Sequence, residues 1–331
     1  MSESATTHPT GSLLPWLQLI RLPTVFTVLA DVSAAYLLVA GGPVAPLRLL
    51  TVLVAGVALY WAGMVLNDVF DVDKDRHERP GRPIPSGAVS LFAAKRAGWI
   101  LLIIGVLAAA ASGYVTAGPA DAAGGLPSTW FPAVVAVALA SMVVAYDGPL
   151  KATPFAPAAM GSCRFLSFML GASAALPMVD GLPEIPRFVW SIALGFGVYV
   201  MGITTLARDE ATGGDPTNRR TGFVLMLIGI VMLAFAPGLA TAEQQLHLAV
   251  RPTGQFVFLI VMIGVPVIVR AARLQLNPTP KAIGLTIRAA LLTIIPFAAA
   301  FAFLGAGPNA GLAVFALVAP AILLSKKLQV T

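Results

Sequence analysis

Ten mostly apolar stretches, each near the length of a bilayer-crossing helix, organise this 331-residue chain. They fall near 22–40, 47–68, 92–115, 131–146, 156–178, 188–207, 222–240, 254–270, 282–303 and 309–325. A helix needs about 20 apolar residues to cross the hydrocarbon core. Backbone in that core must satisfy its own hydrogen bonds, which restricts each run to helix. The fourth run is short, and the last two are also compatible with one broken hairpin. The expected fold is therefore all-α: a polytopic membrane helical bundle of nine to ten transmembrane helices. One domain spanning 1–331 is expected, with 1–13 as a polar N-terminal tail. That tail lacks the basic start of a signal peptide, and no cleavage is expected.

Composition agrees. Hydrophobic residues make up 58% of the chain and charged residues 11%, against roughly 45–50% and ~25% in soluble domains. Cytosolic globular enzymes, disulfide-stapled secreted domains and disordered tails are excluded on that ground. The single cysteine, Cys163, permits no internal disulfide, and His8, His77 and His247 are too scattered to build a histidine metal site.

The net charge of +6 is explained by topology. With the N-terminus in the cytoplasm and ten crossings, all of the 21 lysines and arginines except Arg48, Arg187 and Arg251 collect on the cytoplasmic face. That is a positive-inside distribution. Trp130, Trp190 and Tyr114 fall at the outer interface, and no nucleic-acid partner is required. The chain reads as an integral protein of the cell's inner or plasma membrane, with the lipid bilayer as its solvent.

The carboxylates carry more information. Asp68, Asp71, Asp73, Asp75, Glu78, Asp147, Asp209, Glu210 and Asp215 all lie on the cytoplasmic side, at the ends of the second, fourth and sixth runs. Acidic residues at membrane depth are costly and face a cavity or a partner. A cytoplasm-facing cavity lined by both signs of charge is expected.

The second run closes in Asn67-Asp68-Val69-Phe70-Asp71-Val72-Asp73-Lys74-Asp75. If helix continues, Asp68, Asp71 and Asp75 share a face, with Asn67 one step round. This all-oxygen set suits Mg2+, which prefers carboxylates together with substrate phosphate oxygens. The bland alternative, a solvated acidic helix end, places negative charge where a helix C-terminus disfavours it. Beyond lies Arg79-Pro80-Gly81-Arg82-Pro83-Ile84-Pro85-Ser86-Gly87. Its prolines stiffen a non-helical loop that would hold Arg82 above the carboxylates. Cation below and guanidinium above would clamp a diphosphate.

These residues resemble the UbiA family of intramembrane prenyltransferases. The family pattern NDxxDxxxD is filled by Asn67, Asp68, Asp71 and Asp75, and RPIPSG resembles its trailing loop. Tyr146-Asp147, Lys151 and the Gly161-Ser162-Cys163-Arg164 stretch match a second region that has a tyrosine, a lysine and an arginine. Together with Arg208-Asp209-Glu210, the combination looks most like the EboC-type branch. The second aspartate-rich motif departs from the family: Asp209 is followed four residues later by Gly213, so Asp209, Glu210 and Asp215 are the remaining candidates for a second ion.

The resemblance implies Mg2+-dependent transfer of a prenyl group from a prenyl diphosphate to a small-molecule acceptor, aromatic or otherwise electron-rich. Asn67, Asp68, Asp71, Asp75 and Asp209 are the implied catalytic residues. Arg82, Tyr146, Lys151 and Arg164 are the candidates for binding diphosphate and prenyl chain, and Tyr60 and Trp61 for lining the tunnel. Asp31 reads as structural, bonded to Ser33 or Thr27. Rival readings are a UbiA-type terpene cyclase and a non-transferring, export-associated EboC-like carrier. Ser167, where an asparagine is common, favours the carrier.

Overall fold

A computed structural model describes residues 13–115, 126–208 and 215–328. In chain order the helices are α1 (Leu13–Leu19), α2 (Val25–Ala40), α3 (Pro46–Phe70), α4 (Val72–Glu78), α5 (Leu91–Ser112), α6 (Phe131–Ala145) and α7 (Ala156–Ser173). They are followed by α8 (Arg187–Ala207), α9 (Pro216–Phe235), α10 (Ala242–Leu246), α11 (Gly254–Leu276), α12 (Pro280–Ala306), α13 (Pro308–Phe315) and α14 (Val318–Leu328). A two-residue hairpin, β1 (Met178–Val179) and β2 (Leu182–Pro183), turns through Asp180 and Gly181, both at positive φ.

Local chemistry sets the boundaries. Prolines open α3, α9, α12 and α13, where the missing N–H costs nothing. Ser90 caps α5 by accepting from Ala93 N, and Thr279 caps α12 by accepting from Ala282 N. Among the described residues nine helices are long and apolar enough to cross a membrane. Helix α7 is not one of the nine. It has 18 residues with Arg164 inside it, and packs against α2, α6 and α8. The last run is broken at Ala316–Leu317, between α13 and α14.

Of the nine, α2, α8 and α12 are the most buried. Helices α5 and α11 turn Ile103, Leu107, Phe258 and Met262 outward, where lipid would cover them. Helix α7 is clamped by backbone on two sides. A Cβ on Gly161 would stand 2.6 Å from the Gly197 carbonyl oxygen of α8, and one on Gly171 would stand 2.2 Å from the Val32 carbonyl oxygen of α2. Small residues permit such approach, and close packing drives helix association in lipid.

Arg48, fully buried at the first turn of α3, donates to the carbonyls of Gly113, Val115, Leu126, Pro127 and Ala174 at 3.0–3.4 Å. This basic exception is thus a fastener for the segments that follow α5, precede α6 and follow α7.

Candidate active site

The helices enclose a chamber of about 380 Å³ between α2, α3, α6, α7, α8 and α12. Leu59, Leu139, Val143, Ile203, Leu291 and Ile294 give it apolar walls, while Arg21, Asn67, Tyr146 and Asp147 stand at its charged end. Tyr60 also lines it and shares a hydrogen bond with Thr24. Trp61 does not contribute to the walls, contrary to expectation.

Helix α3 ends at Phe70, and the path restarts as α4 after Asp71, which sits at φ −85° and ψ 0°. Hydrogen bonding nearly continues through the break: Asp71 N donates to the Asn67 carbonyl and Asp75 N to the Asp71 carbonyl. The loop after α4 is pinned by Ile84 and Val89, buried against Leu19, Val65, Val72 and Ala94. Backbone bonds from Arg82 to Arg79, from Ser86 to Arg82 and from Val89 to Pro83 fold the proline-rich stretch into successive turns. This fixes Arg82. Its Nη1 donates to Asp75 Oδ2 at 2.6 Å and Asp68 Oδ1 at 3.3 Å.

Asp68 and Asp75 are therefore buried and converge on one cationic atom. Asp71 turns aside, to Lys151 Nζ at 2.5 Å. The single shared face expected for the three aspartates is thus divided between Arg82 and Lys151. Arg82 and Lys151, the candidates for binding diphosphate, are both held by motif carboxylates.

Helix α6 widens into a π-helical turn over Tyr146–Leu150, containing Pro149. Such turns recur at functional sites. This one sets Tyr146 in the chamber wall and aims Asp147 at α3, where Asp147 Oδ1 accepts from Asn67 Nδ2 at 2.9 Å.

Three predicted residues are held by partners that their spacing does not show. Arg164 lines the chamber and is tied to α2. Its Nη2 donates to the Thr27 carbonyl at 2.9 Å, and its Nε lies 3.0 Å from Asp31 Oδ2, a charge contact without hydrogen-bond alignment. Asp31 bonds Ser167 at 3.3 Å, not Ser33 or Thr27. A buried carboxylate needs a counter-charge, and α7 brings Arg164 to it. Asp215 caps α9, its Oδ1 accepting from Thr217 N at 2.8 Å. Asp209 and Glu210 lie outside the described residues. His77 is exposed in the last turn of α4, as a surface residue.

Sequence reasoning passed over two members of the site. Arg21 Nη2 lies 3.5 Å from Asp68 Oδ1, on a residue at φ 46°, which a non-glycine adopts only under constraint. Asp147 was counted among the cytoplasmic acids but not placed beside Asn67.

Among the described residues no three acidic, histidine or cysteine groups stand close enough to hold an ion. The donor chemistry nonetheless suits Mg2+: Asp68 and Asp75 already aim oxygens at a shared positive charge, and Asn67, its Nδ2 turned to Asp147, has Oδ1 as the atom to offer a cation.

A model described as the UbiA prenyltransferase family matches residues 26–330. The chain belongs to this family. A digeranylgeranylglyceryl phosphate synthase of Methanoregula boonei is 32% identical over 218 residues, 63% of this chain and 70% of that protein. One from Metallosphaera sedula is 34% identical over 101 residues, 30% of this chain and 36% of that protein. The matched stretch spans only about a third of the first such relatives. The solved structure of a UbiA homolog from Archaeoglobus fulgidus bound to GPP and Mg2+ superposes with a TM-score of 0.58 at 15% identity. The match covers 91% of this chain and 99% of that one, which shows the UbiA fold. The relatives named here are digeranylgeranylglyceryl phosphate synthases and not EboC-type proteins, so the narrower placement rests on the motif resemblance alone.

Proposed function

We propose that this UbiA-family chain, acting as one domain, transfers a prenyl group from a prenyl diphosphate to an electron-rich acceptor at the cytoplasmic face of its membrane. The carrying observation is that Asp68 and Asp75 meet on Arg82, with Arg21 on Asp68 and Lys151 on Asp71, next to the chamber end where Arg21 and Asn67 stand. Asn67, Asp68, Asp71 and Asp75 would hold Mg2+, which when bound supplies counter-charge for a diphosphate leaving group. Asp209 and Glu210 are proposed for a second ion.

Arg82 and Lys151 would exchange their carboxylates for diphosphate oxygens as substrate arrives. The prenyl tail would lie along Leu59, Leu139, Val143, Leu291 and Ile294. Tyr60 and Tyr146 present aromatic faces where allylic positive charge develops, and the apolar walls exclude water that would quench it. The C1–O bond breaks with its electron pair leaving on diphosphate. An acceptor electron pair forms the new bond to C1, and the acceptor then loses a proton.

The acceptor class is read from chemistry. Phenols fit an electron-rich nucleophile, and the product in the relatives' name makes a glyceryl phosphate hydroxyl the second class to supply. Purified protein with Mg2+, prenyl diphosphates of graded length and both acceptor panels should yield a prenylated product by mass spectrometry. A cyclised hydrocarbon formed without acceptor would instead identify a terpene cyclase. Pairing of all three motif carboxylates by the chain's own basic groups favours one further reading, the EboC-like carrier, which would bind the diphosphate yet release none of it.

A further inference from the structure

The chamber is not polar at its charged end alone. In the corner between α2, α3 and α7, Thr24, Thr27, Tyr60, Arg164 and Ser167 all line it. Tyr60 precedes Asn67 by seven residues of α3, roughly 10 Å along the helix axis, so this corner lies deeper in the molecule than the aspartate-rich motif. Arg164 is 8% exposed, and its guanidinium is only partly used. Nη2 donates to the Thr27 carbonyl and Nε faces Asp31, while Nη1 has no hydrogen-bond partner among the described residues. Of its two nitrogens without a hydrogen bond, Nε is sealed and Nη1 is not. The open space that Arg164 lines is the chamber. A buried donor left unused is costly, and a ligand in the chamber relieves that cost. Fastening α7 to α2 accounts for Nε and Nη2, but not for Nη1.

The charge beside Arg164 restricts the ligand. Asp31, fully buried, already balances the guanidinium, and Ser167 Oγ donates to Asp31 Oδ1 at 3.3 Å. An anion entering this corner would lose its water beside a buried carboxylate, whereas a neutral oxygen accepts from Nη1 without adding charge. A hydrogen bond from a charged donor is also stronger than one between neutral groups. We propose that Nη1 of Arg164 binds a neutral carbonyl or hydroxyl oxygen at the far end of the acceptor, with Asp31 and Ser167 holding the guanidinium in place. This rests on the transfer reading above. The nucleophilic end of the acceptor then meets C1 below the motif, while the prenyl tail keeps to the apolar walls of α6 and α12. Acceptors that lack the far oxygen, or carry a carboxylate there, are disfavoured.

The test measures binding to the full-length protein in detergent by calorimetry, without Mg2+ or prenyl diphosphate. The probes are 4-hydroxyacetophenone, 4-isopropylphenol and 4-hydroxybenzoate, which set a neutral oxygen, no oxygen and a carboxylate opposite the same phenol. Combining Arg164→Met with Asp31→Leu leaves no buried charge unpaired. That variant should lower the affinity ratio of 4-hydroxyacetophenone to 4-isopropylphenol by about 10-fold or more, the scale of one charge-assisted bond. If it does not elute as a single species, Arg164→Lys, whose ammonium stays on Asp31, should lower the same ratio. A purely structural pair would weaken both phenols alike, so an unchanged ratio in a folded variant would overturn the subsite. So would failure of 4-hydroxyacetophenone to bind the unmodified protein, or tighter binding of 4-hydroxybenzoate. Transfer is scored separately, with Mg2+ and a prenyl diphosphate added. Binding with the expected ratio but no product would sink the transfer reading and leave the oxygen-binding corner standing.

Discussion

Asn67 and Asp147, 80 residues apart in sequence, are joined by one hydrogen bond from Nδ2 to Oδ1 at 2.9 Å. The bond ties the end of α3 to the π-helical turn after α6, and leaves Asn67 with its carbonyl oxygen as the free donor atom toward a cation. Supporting partners of this kind cost 10–100-fold when removed. Asp147→Ala should therefore lower prenyl transfer by roughly that factor and raise the Mg2+ concentration needed for half activity. Unchanged Mg2+ dependence in a titration of initial rates would contradict the role.

Asp68→Ala combined with Asp71→Ala removes charge from both basic partners at once. Diphosphate release should fall by about a hundredfold or more, the scale for losing preorganised stabilisation of a leaving group. A double variant that still turns over a prenyl diphosphate at the original rate would sink the assignment of this motif.

Arg21 holds a left-handed backbone to reach Asp68. Arg21→Gly should relax the backbone while deleting the guanidinium, so thermal stability should hold or rise as turnover drops about tenfold or more. If activity survives, the contact is merely structural.

At the far end, Arg48→Leu would orphan buried carbonyls on three segments. Each lost charge-assisted bond is worth about 1.5–3 kcal/mol. The unfolding temperature should fall on the order of 10 °C in a detergent melt. Arg48→Lys should recover little, because one ammonium cannot span five acceptors.

Much of this architecture is visible in the chain itself, for reasons specific to lipid. Each long apolar run had one way to satisfy its backbone, so the helices were readable one by one. The row from Asn67 to Asp75 was readable because its members are neighbours in sequence. What hydropathy cannot carry is which helix stands beside which. Nothing local to α7 neutralises Arg164; its partner, Asp31, sits on α2. Asp147 and Arg21 were visible as charges, but their place beside Asn67 and Asp68 exists only after α1, α3 and α6 meet. The turning aside of Asp71 goes with Lys151, 80 residues further along the chain, a pairing that residue spacing does not register.

The backbone clamp on α7 has a corollary for how this enzyme family member would diversify. Gly161 and Gly171 leave no room on that side for a larger residue, so α7 is a fixed post. Selectivity for tail length would be re-tuned on the opposing walls, at Leu139, Val143 and Leu291, where one bulkier side chain shortens the berth without moving any backbone.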